Sequence, residues 1–94
     1  MSNTNINDLK LQLALAKILP EILIICPDEI TVRWRSILSS PQVVQDTEWL
    51  HVCWLVEQAL SYDDKINQYV RLVEVSSSWQ RRAEALCKVK GIKV

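Results

Sequence analysis

The single histidine, His51, stands two residues from Cys53, and Cys26 and Cys87 complete a set of three thiols. Imidazole and thiolate are the usual zinc ligands, but a tetrahedral centre needs about four converging donors. Both residues fall in a segment with helical periodicity, where side chains two apart point about 200° away from each other. No Cys-x-x-Cys spacing is present. The pair is therefore read as a boundary histidine beside a core cysteine, and no metal is expected. Catalysis by a nucleophile and a base has to recruit the same histidine or the adjacent carboxylates Asp63 and Asp64. An acid pair at a helix start is already explained by the positive end of the helix dipole, as Lys88 and Lys90 are by the negative end. No catalytic residue, cofactor or small-molecule ligand is assigned, and the chain is read as noncatalytic.

Eleven Lys and Arg balance eleven Asp and Glu over 94 residues, so no global field draws the chain to nucleic acid or to an anionic membrane. The charges are nevertheless segregated. Residues 42–78 carry six acids against Lys65 and Arg71, whereas residues 79–94 carry Arg81, Arg82, Lys88, Lys90 and Lys93 against Glu84. A nucleic-acid reading would use Arg81, Arg82 and Lys88 on phosphates, with Arg33 and Arg35 on a β-ribbon entering a groove. The neutral total and the acidic Asp63-Asp64 start of a helix weigh against it, so it stands as the alternative.

These side chains must be positioned by elements whose pattern is legible. Over residues 5–19, Leu9, Leu11, Leu13 and Leu15 alternate as in a strand, while Ile6, Leu9, Leu13 and Ala16 recur as in a helix. Good helix formers and the stop at Pro20 decide for a helix. On it Leu11, Leu15, Ile18 and Leu19 form a second apolar face, nearly opposite the first. Residues 22–26 are a β-branched run, Pro27-Asp28-Glu29 turns the chain, and residues 30–35 alternate, which reads as a β-hairpin with Ile30, Val32 and Trp34 toward the core. Ile92-Lys93-Val94, after Gly91, is a candidate third strand. Asp46 or Thr47 offers a cap for a helix running to about Ser61. From Asp63 or Asp64 a further helical stripe continues through Ile66, Tyr69, Val73, Ser76, Trp79 or Gln80, Ala83 and Cys87, either unbroken or interrupted at Ser76-Ser77-Ser78, where a serine caps a last helix beginning near Trp79.

The helix around residues 48–60 places Trp49, Val52, Cys53, Val56, Ala59 and Leu60 on one face, leaving Leu50, Trp54 and Leu55 outside it. Leu50 and Trp54 are four apart and hence neighbours. A chain of this size has little interior in which to bury two doubly apolar helices. The fold expected is α+β, one compact domain over residues 1–94: an N-terminal helix, a hairpin, then two or three helices packed on one face of the hairpin. The function expected is noncatalytic protein–protein interaction beginning with a homodimer, with Leu50, Trp54, Leu55, Leu11, Leu15 and Ile18 at the interface. The polar N-terminus lacks a secretory start, no window supplies the roughly 20 apolar residues of a membrane span, and an odd, scattered set of cysteines points to reduced thiols in the cytoplasm.

Overall fold

The computed structural model describes residues 6–26, 31–35, 42–62 and 64–93. The fold is α+β. A first helix, α1 (Ile6–Ile18), leads into an antiparallel hairpin of β1 (Leu23–Cys26) and β2 (Thr31–Trp34), and a short β3 (Gln42–Val43) pairs with the far side of β2. A single 3-10 turn (Asp46–Glu48) opens α2 (Trp49–Leu60), which is followed by α3 (Lys65–Val70) and α4 (Trp79–Val89).

The second apolar face of α1 is internal, while of the first Ala16 is buried and Leu9 and Leu13 are half-buried. Among the helices only α1 brings its backbone close to β1 and β2, and on its other sides it meets α2 and α4; α3 packs on α2 and α4. Helix α1 keeps Asn7, Lys10 and Lys17 exposed but buries Leu11, Ala14, Leu15 and Ala16, with Leu19 just after it, as suits a helix placed between layers. Helices α2 and α4 thus stack on α1, with α3 against both, and none of the three has its backbone on the strands. Leu11 and Leu15, expected at a partner interface, are 4% and 0% exposed in the chain's own core, and Ile18 packs partly buried against that core. The second apolar face of α1 is covered within the chain.

The hairpin forms as expected, with Leu23 opposite Trp34 and Ile25 opposite Val32. Val32 is buried and Trp34 half-buried, while Ile30 and the turn lie outside the described residues. The third strand is not the C-terminal tripeptide. Gln42–Val43 supplies it, extended by the Val44 N–H donating to the Val32 carbonyl at 3.1 Å. Ile92 is committed elsewhere: its N–H donates to the Cys87 carbonyl at 2.8 Å while the Gly91 N–H donates to the Lys88 carbonyl at 3.2 Å. With Gly91 at φ +72°, this is a Schellman stop on α4, an element with no strand beside it. Val94 lies outside the described residues.

The helical stripe after Asp64 is interrupted. Residues 71–78 are irregular, and Ser78 caps α4 by accepting from the Arg81 N–H. Trp49 and Trp79 then join the starts of α2 and α4, with ring centroids 5.7 Å apart. Among the described residues no helix is long and apolar enough to cross a membrane.

Candidate functional site

Helix α2 divides sharply. Trp49, Val52, Cys53, Val56 and Leu60 point into the core, and the opposite side presents His51, Trp54 and Gln58, one per turn, flanked by half-buried Leu50 and Leu55. Trp54 is 48% exposed. Leu55 packs partly against the core, and Ala59, placed on the core face by periodicity, is exposed. The sheet contributes Trp34, whose ring centroid is 6.3 Å from that of His51; the His51 ring is in turn 6.5 Å from Trp54 and nearly perpendicular to it. Three aromatic rings from β2 and α2 therefore line one surface. The Trp34 Nε1–H is buried with no hydrogen-bond partner among the described residues. The outward stripe of residues 50, 51, 54, 55 and 58 contains no Asp, Glu, Lys or Arg.

A second arrangement, not visible in the sequence pattern, is built around Arg82. Its Nη1 donates to Glu57 Oε1 at 2.9 Å, and Tyr69 Oη–H donates to the same oxygen. The rest of the guanidinium reaches back to the loop before α4: Nε to the Ser77 carbonyl at 3.2 Å, and Nη2 to those of Glu74 at 3.2 Å and Val75 at 3.0 Å. One planar donor fork thus joins α2, α3 and α4 and fixes the loop. Burial alone lowers the pKa of Arg82, but hydrogen bonds and charge from Tyr69 and Glu57 outweigh it and hold it above the usual value. Burial first, and then the hydrogen bond to the Glu57 carboxylate, push the Tyr69 phenol well up.

This commitment takes Arg82 out of any basic surface. Arg81 and Lys88 are exposed on α4. Arg33 is half-buried in β2, and Arg35 is exposed with its Nε donating to the Pro20 carbonyl at 3.1 Å. Since α4 lies beside α1 and not beside the strands, the hairpin arginines and those of α4 are in different layers. The structure does not gather the five residues into one patch.

Cys53 and Cys87 are buried and Cys26 half-buried, all as free thiols, while His51 points outward. The Cys53 Sγ–H donates to the Trp79 carbonyl at 3.5 Å. Burial, followed by the charge of Glu57, pushes the Cys53 thiol up to about 12, and burial followed by Glu84 pushes Cys87 up to about 11. Such thiols are poor nucleophiles and poor ligands at neutral pH, because it is the thiolate that reacts. Among the described residues no three His, Cys, Asp or Glu side chains gather as a metal site. Asp63 lies outside the described residues, and Asp64 stands at the start of α3 without a side-chain cap bond. No known protein family matches the chain, and no curated protein or solved structure is significantly similar to it.

Proposed function

We propose that the chain is a noncatalytic protein–protein interaction module that associates with a second copy of itself through the outer face of α2. The observation that carries this reading is Trp54, half exposed at the centre of an uncharged stripe and flanked by Leu50 and Leu55. Interface cores are depleted in charge and enriched in aromatic residues, and tryptophan is the side chain most often found at binding hot spots. Covering the wet half of this ring removes roughly 100 Å² of apolar surface, worth about 2–3 kcal/mol per subunit. A second copy fits the stripe because an uncharged patch meets its own image across a two-fold axis without like-charge repulsion, and the zero net charge adds none at long range. Leu11 and Leu15 take no part, being core. The free, buried thiols suit the cytoplasm, where they persist.

Sedimentation velocity on the wild-type chain and on Trp54→Glu tests this. The expected result is a dimer that becomes monomeric in the variant with unchanged circular dichroism, since the substitution removes apolar area and places a charge in the contact. A wild-type monomer at high concentration would overturn the proposal. Binding of random duplex DNA that weakens steeply with salt, with no dimer, would move the reading to nucleic acid.

A further inference from the structure

The loop that Arg82 holds forms one wall of a cleft of about 450 Å³ beside the start of α4. Its polar lining is Arg71, Arg81, Ser76, Ser77, Ser78 and Glu74. Among the described residues neither the Arg71 nor the Arg81 guanidinium has a hydrogen-bond or ion-pair partner. Arg71 and Arg81 outnumber Glu74 in the lining, so the cleft carries net positive charge, which an anion held between the two guanidinium groups would neutralise. From this we propose that the cleft binds the phosphate group of a small molecule, with Arg71 and Arg81 as its principal ligands.

The chemistry of the wall favours phosphate over a simpler anion. A guanidinium presents planar paired donors that match phosphate oxygens. The Ser77 hydroxyl oxygen accepts from the Glu74 N–H and that of Ser78 from the Arg81 N–H, so both keep an O–H to donate. The first turn of α4 adds partial positive charge on the same side. Glu74 is the one acid in the lining and leaves a net charge of one against two arginines. Its carboxylate accepts from a protonated oxygen of inorganic phosphate, which sulfate lacks at neutral pH; a monoester, whose second pKa is about 6, is largely ionised there and gains nothing from Glu74. A more open depression of about 200 Å³, lined by Leu72, Arg81, Glu84, Ala85 and Lys88, adjoins it at Leu72 and Arg81 and gives room for the carbon portion of a phosphate ester, with Glu84 and Lys88 offsetting each other's charge. The preorganisation comes from Arg82, whose bonds to the carbonyls of Glu74, Val75 and Ser77 fix the wall before any ligand arrives.

The test is a titration of the full chain followed by amide NMR, with inorganic phosphate, phenyl phosphate and sulfate at matched low ionic strength. Phosphate is expected to shift the amides of residues 76–81 saturably, and sulfate to bind several-fold more weakly. Arg71→Ala and Arg81→Ala should each weaken phosphate about tenfold, the loss of one charge-assisted contact. Glu74→Gln should weaken the preference for phosphate over sulfate. The two arginines and Glu74 are exposed, with no side-chain bond holding the fold, so the variants report binding and not folding. Tighter binding of phenyl phosphate assigns the site to esters; equal or weaker binding assigns it to free phosphate. Shifts that do not saturate, equal responses to sulfate, or unchanged affinity in both arginine variants would overturn the proposal. So would binding of a DNA duplex through these residues without binding of phosphate itself.

Discussion

Arg82 and Glu57 meet at 2.9 Å with their side chains only 13% and 22% exposed, which makes this ion pair a junction of the outer helical layer and not a surface ornament. Exposed pairs contribute little because water screens them and their side chains must be ordered. Here the same carboxylate oxygen also accepts from Tyr69, and the remaining guanidinium donors satisfy three loop carbonyls. Removing one member strands the others.

Arg82→Ala should therefore cost about 3 kcal/mol in urea denaturation, in the range found when one partner of a buried pair is deleted. Arg82→Lys should recover less than half of this, because one ammonium cannot span Glu57 and the loop together. A loss under about 0.5 kcal/mol for the alanine variant, the usual range for an ordinary surface site, would show that the loop stands without the fork.

Two serines of the loop before α4, Ser76 and Ser78, differ in what they hold. Ser78→Ala should cost about 1 kcal/mol by removing the cap on the Arg81 N–H. Ser76→Ala, which removes no recorded bond, should stay within about 0.5 kcal/mol. Thermal unfolding of the two variants side by side checks the difference.

Gly91 closes the same helix at φ +72°, and a Cβ there meets nothing within 4 Å. The cost of Gly91→Ala is then backbone strain alone, about 1 kcal/mol, with Gly91→Asn costing about half as much because asparagine tolerates the left-handed region better. Equal losses for the two, or a loss several times larger, would point to a steric clash that the geometry does not contain.

What the sequence made legible follows from what periodicity can carry. It marked two apolar faces on α1 but not their neighbours, so Leu11 and Leu15 read as a surplus when they are the contact between layers. It offered a break at residues 76–78 as one of two readings because serine is a good cap, but the apolar stripe through Val73 gave no sign that the helix ends at Val70. It had no signal for β3, two residues whose extended shape is set by pairing with β2. Ile92-Lys93-Val94 looked like a strand on composition, and the glycine before it, visible at once as a helix stop, instead routed Ile92 back onto Cys87. Arg82 was counted in a basic tail because its partners lie 25 residues away at Glu57 and 13 away at Tyr69. Ion pairing across helices leaves no periodic trace.

Trp34 and Trp49 provide a contrast in how a tryptophan is held. The buried Trp34 Nε1–H has no partner among the described residues, which costs about 1–3 kcal/mol of desolvation. Trp34→Phe removes that burden together with some apolar area at a half-buried site, and should be close to neutral. Trp49→Phe opens a void at a residue only 2% exposed and should cost about 2 kcal/mol. Urea midpoints at constant m-value distinguish the two cases, and a large loss at Trp34 would mean that its indole N–H is satisfied, by water for instance.

Alkaline pH should expose the buried acids together. The Cys53 thiol is raised from 9.0 to about 12 and Cys87 from 9.0 to about 11, both chiefly by burial, and the Tyr69 phenol is raised above 10.0 by burial and by its bond to Glu57. Each keeps its proton in the folded chain at a pH where the unfolded chain has lost it, so proton release favours unfolding. The stability these groups contribute is fully present below pH 9. It declines as pH rises past the unfolded values of the thiols and then of the phenol, and for each thiol it is exhausted once the folded value is passed. Within its window each group contributes a slope of about 1 kcal/mol per pH unit. Urea denaturation should give a flat stability from pH 7 to about 9 and a steep fall above it. Cys53→Ala should be less stable than wild type near neutrality, through the small void it leaves, yet should show the shallower alkaline fall, so that the gap between the two narrows as pH rises. Parallel curves for the two proteins above pH 9 would mean that Cys53 titrates alike in both states, which its complete burial opposes.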